Sequence, residues 1–263
     1  MENSIKFITS WLKDASSHSI DIITIFGMAG IGKTSLAKYV YGLHFHEFDT
    51  SNFIENINRR CEKRDGLLDL QKQLYDDISK RSSVQAHDTS IYTSMIEKAV
   101  SCKKLFLVLD DIGSLDQLDA LLGSKSFHPG TKIIITTKDA WLTKSCALFK
   151  THVQPKHEMY ELKVLSEINS QRLFSFHAFM CNDPKKGYEE ASEKLVKYCQ
   201  GHSMALKVLG KSLHNRDVTY WEGYIEGLKK ENGSPINNVL RMSFDSLPFK
   251  NDKDLFKHIA CFF

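Results

Sequence analysis

The sequence predicts an α/β domain built on a parallel sheet, followed by an all-helical region. Three observations carry that expectation. Apolar runs of strand length alternate with helix-period segments up to about Leu165, and beyond it only helical periodicity remains. The strand-like runs are almost continuously apolar, as strands covered on both faces must be. The first of them, Ile22-Ile23-Thr24-Ile25-Phe26, runs straight into a glycine-rich turn and then a helix-like segment, 35–40.

Residues 1–19 carry charges within an amphipathic stretch and have no long apolar core, so they read as a linker or entering helix, neither signal peptide nor membrane span. Strands are expected at 20–26, 52–57, 105–109, 132–136 and 159–162. Helices at 67–79 and 91–101 fall between the second and third, supplying the crossovers that parallel pairing needs. Past Leu165, helices are expected at 169–179, 188–199, 204–213, 220–230, 236–244 and 252–262. Asp183-Pro184, Gly201, Asn232-Gly233 and Leu247-Pro248 punctuate them. Thr219-Tyr220-Trp221-Glu222 reads as a capping box opening one of these helices. No internal repeat or low-complexity segment is visible.

With 263 residues and 42% hydrophobic content the chain is long enough for more than one folding unit. Lys+Arg of 35 against Asp+Glu of 32 leaves a net charge of +3, too small to argue for a nucleic-acid or membrane partner. Cys61, Cys102, Cys146, Cys181, Cys199 and Cys261 show no C-x-x-C spacing, which suits reduced thiols in a cytosolic compartment better than a disulfide framework or zinc site.

The glycine-rich turn is a complete G-x-x-x-x-G-K-T phosphate loop, Gly27-Met28-Ala29-Gly30-Ile31-Gly32-Lys33-Thr34, followed by Ser35. Glycines let the backbone turn tightly and aim N–H groups at phosphate oxygens, and the following helix directs its positive end at the same anion. Lys33 is expected to reach the β- and γ-phosphates, and Thr34 to hold Mg²⁺. The strand 105–109 ends in Asp110-Asp111, where α/β sheets place ligands. Asp110 is therefore expected to hold Mg²⁺ beside the phosphate loop, and Asp111 to orient a hydrolytic water. The competing reading makes the pair an acidic turn capping a helix that starts near Ser114. A further buried strand within Gly130-Thr131-Lys132-Ile133-Ile134-Ile135-Thr136-Thr137-Lys138-Asp139 closes with hydroxyls and a cation at the same edge, placing Lys138 to sense a γ-phosphate.

In this order the motifs resemble one family, the NB-ARC nucleotide-binding domain of plant disease-resistance proteins, most like the class with an N-terminal TIR domain. The likeness covers nearly the whole chain. It includes Phe48-Asp49-Thr50-Ser51-Asn52-Phe53-Ile54-Glu55-Asn56-Ile57, and Tyr160-Glu161-Leu162-Lys163-Val164-Leu165 continuing through Leu173-Phe174-Ser175-Phe176-His177-Ala178-Phe179. Gly201-His202-Ser203-Met204-Ala205-Leu206-Lys207-Val208-Leu209-Gly210 and Leu240-Arg241-Met242-Ser243-Phe244-Asp245-Ser246-Leu247 extend it. The final Ile259-Ala260-Cys261-Phe262-Phe263 resembles the start of a winged helix.

The resemblance implies a P-loop NTPase fold of the STAND type, with a three-layer parallel sheet, an α-helical bundle and the start of a winged helix. Its parts would be a nucleotide-binding domain at 20–164, a helical ARC subdomain at 165–233 and a truncated winged-helix ARC subdomain at 234–263. It implies a signalling switch in plant defence, closed with ADP, opened and homo-oligomerised by ATP with Mg²⁺, and reset by hydrolysis that is at most slow. The expected setting is cytoplasmic, with access to the nucleus left open. Where the family usually has arginine this chain has Lys138, which keeps the charge without the planar fork. The family's Gly-Leu-Pro-Leu motif appears as Gly201-His202-Ser203-Met204, so Ser203 and Met204 occupy the positions expected beside adenine. TIR and leucine-rich-repeat domains, expected in a full receptor, have no counterpart here, and the chain reads as a fragment or truncated product.

Other residues read as ordinary structure. His44 and His46 lack a third ligand and are expected in a loop. Arg59-Arg60-Cys61-Glu62-Lys63-Arg64 is expected to be a solvated loop, not a nucleic-acid patch. Phe174, Phe176, Phe179, Trp11 and Trp221 are expected to be core. Three readings of function stay open: an ADP/ATP switch, a P-loop ATPase of the motor or remodelling kind, and an adaptor that holds nucleotide without responding to it.

Overall fold

Leu105-Phe106-Leu107-Val108-Leu109 has no polar position because both faces of its strand are covered. A computed structural model of the chain describes residues 2–14, 20–79, 88–123, 127–145, 156–245, 251 and 253. They fall into two compact units, Met1–Ala29 with Lys33–Leu162, and Gly30–Gly32 with Lys163–Phe263.

In the first unit, strands β1 (Asp21–Phe26), β2 (Thr50–Ile54), β3 (Leu105–Ile112), β4 (Lys132–Thr137) and β5 (Lys156–Glu161) form one sheet in the order β2-β3-β4-β1-β5. Every pairing is parallel. Leu105, Leu107, Leu109, Ile133 and Ile135 point into one core with Leu70, Leu74, Ile96 and Leu118. These last four come from helices α4 (Gly66–Ser79), α5 (Thr89–Val100) and α6 (Leu115–Leu122). Residues at alternate positions face the other way, as a strand's two-residue period dictates. Phe106 stacks there on Tyr41 of helix α2 (Lys33–His44) at 5.5 Å. Helices on both faces make the three layers that the apolar strands anticipate.

The N-terminal stretch is helix α1 (Glu2–Lys13), which buries Ile8, Trp11 and Leu12. Lys132, only 4% exposed, ties it down: its ammonium donates to Trp11 O (3.1 Å) and Asp14 O (2.9 Å) and pairs with the buried Asp21 carboxylate. It also lies over the Trp11 ring. Phe7 stacks on Tyr160 of β5 at 4.9 Å.

Several expectations need correction. The second strand ends at Ile54, and Ile57 opens a short helix, α3 (Ile57–Cys61), so Arg59 and Arg60 are helical. His44 is the buried last residue of α2, with its ring nitrogens within reach of Thr9 Oγ1 (3.3 Å) and Glu47 Oε1 (2.7 Å). His46 lies in the 3-10 turn Phe45–Glu47 that follows. The short helix α7 (Leu142–Ser145) had no distinct sequence signal.

The second unit is helical: α8 (Glu167–Phe179), α9 (Glu189–Tyr198), α10 (Ser203–Leu213), α11 (Val218–Lys230) and α12 (Pro235–Asp245). Trp221, fully buried, organises its core, with Phe174 edge-on at 5.6 Å, Phe179 stacked at 5.2 Å and its indole N–H donated to Leu213 O. Phe176 is 47% exposed, not core, because it sits on the outer side of α8 between those two. The cap of α11 is Asp217, whose carboxylate accepts from Tyr220 N (2.8 Å), so Thr219 is not the cap; an ionised oxygen at the N-terminus outcompetes a hydroxyl already inside the first turn. Gly201 takes φ +76° where an added Cβ would meet Leu165 O at 2.5 Å, which makes glycine obligatory. Of the cysteines, Cys61, Cys102, Cys181 and Cys199 are free thiols, and burial pushes Cys199 up to about 12. Cys146, Cys261, the Leu247-Pro248 break, most of the expected helix 252–262 and the segment likened to a winged-helix start lie outside the described residues.

Two outcomes follow for the first unit. Lys132→Ala leaves the Asp21 charge buried and uncompensated, so urea denaturation should show a loss of about 3–5 kcal/mol. His157 is half-buried against Thr24 (Nε2 to Oγ1, 2.9 Å), and desolvation holds its imidazole below the ordinary 6.5. A depressed folded-state value means the unfolded chain binds the proton first, so this contribution is intact above 6.5 and is lost as pH falls below it. Melting temperatures measured through that range should fall less for His157→Gln than for the wild type.

Candidate functional site

Strand order determines which chemistry meets at the carboxyl edge of the sheet. Because β4 lies between β1 and β3, the end of β4 stands between the loop leaving β1 and the aspartates ending β3. Phe26 and Ile112 both align with Thr137. Edges of this kind, at the carboxyl ends of parallel strands, are where α/β folds bind ligands.

Asp110 is the centre of the arrangement, with no solvent exposure. Its Oδ1 accepts from Thr34 Oγ1 at 2.8 Å and from Thr136 Oγ1 at 2.7 Å. Asn56 N approaches its Oδ2 at 3.4 Å. The next residue is built differently: β3 bulges between Leu109 and Ile112, and Asp111 adopts φ +58°. A bulge of this kind re-aims a side chain. Asp111 N donates to Thr136 Oγ1 (2.9 Å), and its carboxylate lies 3.5 Å from Lys138 Nζ. Ser114 caps α6 itself, accepting from Gln117 N. The cap is thus supplied without either aspartate.

Lys33 opens α2 and is 7% exposed, its ammonium donating to Gly27 O (2.7 Å) and Met28 O (2.9 Å). Both acceptors are neutral. Desolvation lowers its pKa, with Lys138 adding to the effect and Asp111 and Asp110 opposing it. A desolvated cation resting on its own loop's carbonyls is matched to an anion, and Thr34 and Asp110 offer the hard oxygen donors that Mg²⁺ takes. The residues present therefore fit a phosphate-bearing ligand and its metal. Met28 and Ala29 are exposed on the loop, and Ser35 is exposed in the first turn of α2.

The loop's tip, Gly30–Gly32, belongs to the second unit. There Met204 N donates to Gly30 O (3.1 Å) and Ser203 Oγ to Ile31 O (2.9 Å). Gly30 has φ +70°, and a Cβ on it would come within 2.9 Å of Met204 Cβ, so the loop requires glycine for both conformation and space. His202 caps α10 by accepting from Ala205 N.

The structure thus brings Lys33, Thr34, Asp110, Asp111 and Lys138 to one edge, and groups Gly30, Ile31, Ser203 and Met204 in the second unit. Thr136 and Asn56 are contacts that motif reading missed. The hydroxyls closing β4 were the available signal for Thr136. Asn56 acts through its backbone, which no side-chain pattern announces. Among the described residues no cluster of three or more His, Cys, Asp or Glu side chains stands ready for a metal, and no helix is long and apolar enough to cross a membrane.

The family described as "NB-ARC domain" matches residues 1–184. Disease resistance protein RUN1 of Vitis rotundifolia is 35% identical over 255 residues, covering 96% of this chain and 18% of that protein. Disease resistance protein RPV1 of the same species is 36% identical over 249 residues, covering 94% and 17%. The chain thus spans less than a fifth of these relatives. Among solved structures, Cdc6p from Pyrobaculum aerophilum superposes with a TM-score of 0.58 at 12% identity, covering 81% of this chain and 60% of that one, a likeness of fold.

Asp110 meets the phosphate-loop helix through its bond from Thr34 Oγ1. Asp110→Ala should weaken Mg²⁺-dependent ATP binding about 10–100-fold while sparing metal-free ADP binding. Calorimetric titrations with and without Mg²⁺ check this, and equal losses in both would make Asp110 structural.

Proposed function

Because the chain belongs to the NB-ARC family, we propose that it is the nucleotide-switch module of a plant intracellular immune receptor, resting with ADP and activated by ATP with Mg²⁺. The observation that carries this reading is the buried Asp110 carboxylate hydrogen-bonded to Thr34 of the phosphate-loop helix, one residue from the desolvated Lys33. Names of relatives, disease resistance proteins over nearly the whole chain, support the immune setting.

Each residue's part follows from its chemistry. Gly27 to Gly32 present backbone N–H groups to phosphate oxygens, and Lys33 exchanges its two carbonyl acceptors for phosphate, a charge-assisted bond worth more. Thr34 and Asp110 hold Mg²⁺, which when bound neutralises phosphate charge. Asp111 is placed to orient water, and Lys138 to meet a γ-phosphate. Ser203 and Met204 are assigned to the adenine side. Any hydrolysis is slow and resets the switch. A ligand shifts a conformational equilibrium only through its different affinity for the two states, so the γ-phosphate contact is where ADP and ATP must differ. In a full receptor TIR and leucine-rich-repeat domains would flank the module, ATP would favour homo-oligomers, and the setting would be the cytoplasm.

A second reading, an adaptor that retains nucleotide without responding to it, is favoured by Ser203, whose hydroxyl is committed to Ile31 O. Equal affinities for ADP and ATP would select it, and steady turnover would select a motor-type ATPase.

Mass spectrometry of the nucleotide released from denatured protein should find ADP. Lys33→Ala should weaken ADP binding about a hundredfold by removing hydrogen bonds from a charged donor. Wild-type affinity in that variant would remove the basis of the switch reading.

A further inference from the structure

The Thr136 side chain touches both aspartates. It sits in β4, 1% exposed, and its hydroxyl is used both ways: it donates to Asp110 Oδ1 (2.7 Å) and accepts from Asp111 N (2.9 Å). The two bonds give the neighbouring aspartates different surroundings. One fixes the Asp110 carboxylate inward, opposite Thr34. The other pins the Asp111 backbone in its left-handed conformation at the bulge, where its side chain meets Lys138.

We propose that Thr136 is a positioning residue of the nucleotide site, its hydroxyl setting Asp110 for the metal and Asp111 for the Lys138 side. The inference rests on the nucleotide-switch reading and deepens it. Thr34 is expected to serve both Asp110 and Mg²⁺. When its oxygen turns to the metal, the carboxylate keeps the second hydroxyl, so Thr136 preserves the orientation that Thr34 alone would not. A non-glycine residue at positive φ is held there only by its surroundings, and the Thr136 acceptor supplies that hold. Both functions need a hydroxyl on β4 at this register, and neither needs the methyl group.

The test is a set of substitutions in the 263-residue chain. Thr136→Val is nearly isosteric but removes donor and acceptor together, leaving the Asp111 N–H without its partner. It should weaken Mg²⁺-dependent ATP binding about tenfold, the scale of one unsatisfied buried polar group. Metal-free ADP binding should stay within about twofold of the wild type. Thr136→Ser keeps the hydroxyl and should restore Mg²⁺-dependent binding. Thr136→Ala deletes the hydroxyl without adding volume, and should repeat the valine result if the valine variant does not fold. Equal losses with and without Mg²⁺, a serine variant as weak as alanine, or unchanged ATP binding in both hydroxyl-free variants would each overturn the assignment. Failure of the underlying reading shows separately, as a wild-type chain that binds no ADP.

Discussion

The carboxyl edge of the first unit's sheet is arranged around the buried Asp110 carboxylate. Asp110 has no exposure, and a charge removed from water costs several kcal/mol unless polar groups replace its hydration. Thr34, Thr136 and the Asn56 backbone supply those groups from three separate elements: the helix after the phosphate loop, β4, and the turn after β2. The carboxylate thus ties together the ends of the sheet that carry the chemistry. The sheet's opposite edge repeats the logic with a different residue pair, since Lys132 and Asp21 are both buried and together secure α1.

Parallel topology explains why these demands can be met at one place. Successive strands of a parallel sheet all end at the same edge, so residues distant in sequence arrive together: Thr34, Asp110 and Thr136 span more than a hundred positions. The interleaving of β4 between β1 and β3 fixes which of them are neighbours. A hydroxyl from β4 can reach the aspartate of β3 because the two strands are paired, and the bulge in β3 turns the next residue out of that alignment. Identical side chains at 110 and 111 thereby acquire different surroundings.

Apolar continuity made the strands legible, and the phosphate loop and Asp110 followed from motifs whose residue types are set by chemistry. What escaped depended on geometry that sequence does not encode locally. Asp111 looks like Asp110 until the bulge gives it a positive φ. His44 was expected in a loop, yet it is a buried helix terminus, its ring reaching Thr9 of α1. Thr219 satisfied a capping pattern, but Asp217 stood two residues upstream with a stronger acceptor. Phe176 belonged to an aromatic run whose helical phase exposes it while Phe174 and Phe179 reach Trp221. The bonds of Ser203 and Met204 to the backbone of the loop's tip carried no sequence signal of their own.

The electrostatics of Lys33 bear on how the proposed switch would meet a further phosphate. Burial lowers its affinity for a proton, and Lys138 pushes the same way, so two cations share a region whose aspartates compensate only in part. Lys138 is 58% exposed at the side chain and 3.5 Å from Asp111, a pair of the kind worth about 0–1 kcal/mol. Such a hold is weak enough to be exchanged for an anion. Lysine meets that anion as a point charge, where arginine would offer a fork. In the proposed switch, discrimination between diphosphate and triphosphate would rest on charge and on the backbone that positions it, more than on bidentate geometry, and the Thr136 bond to Asp111 N would be part of what determines it.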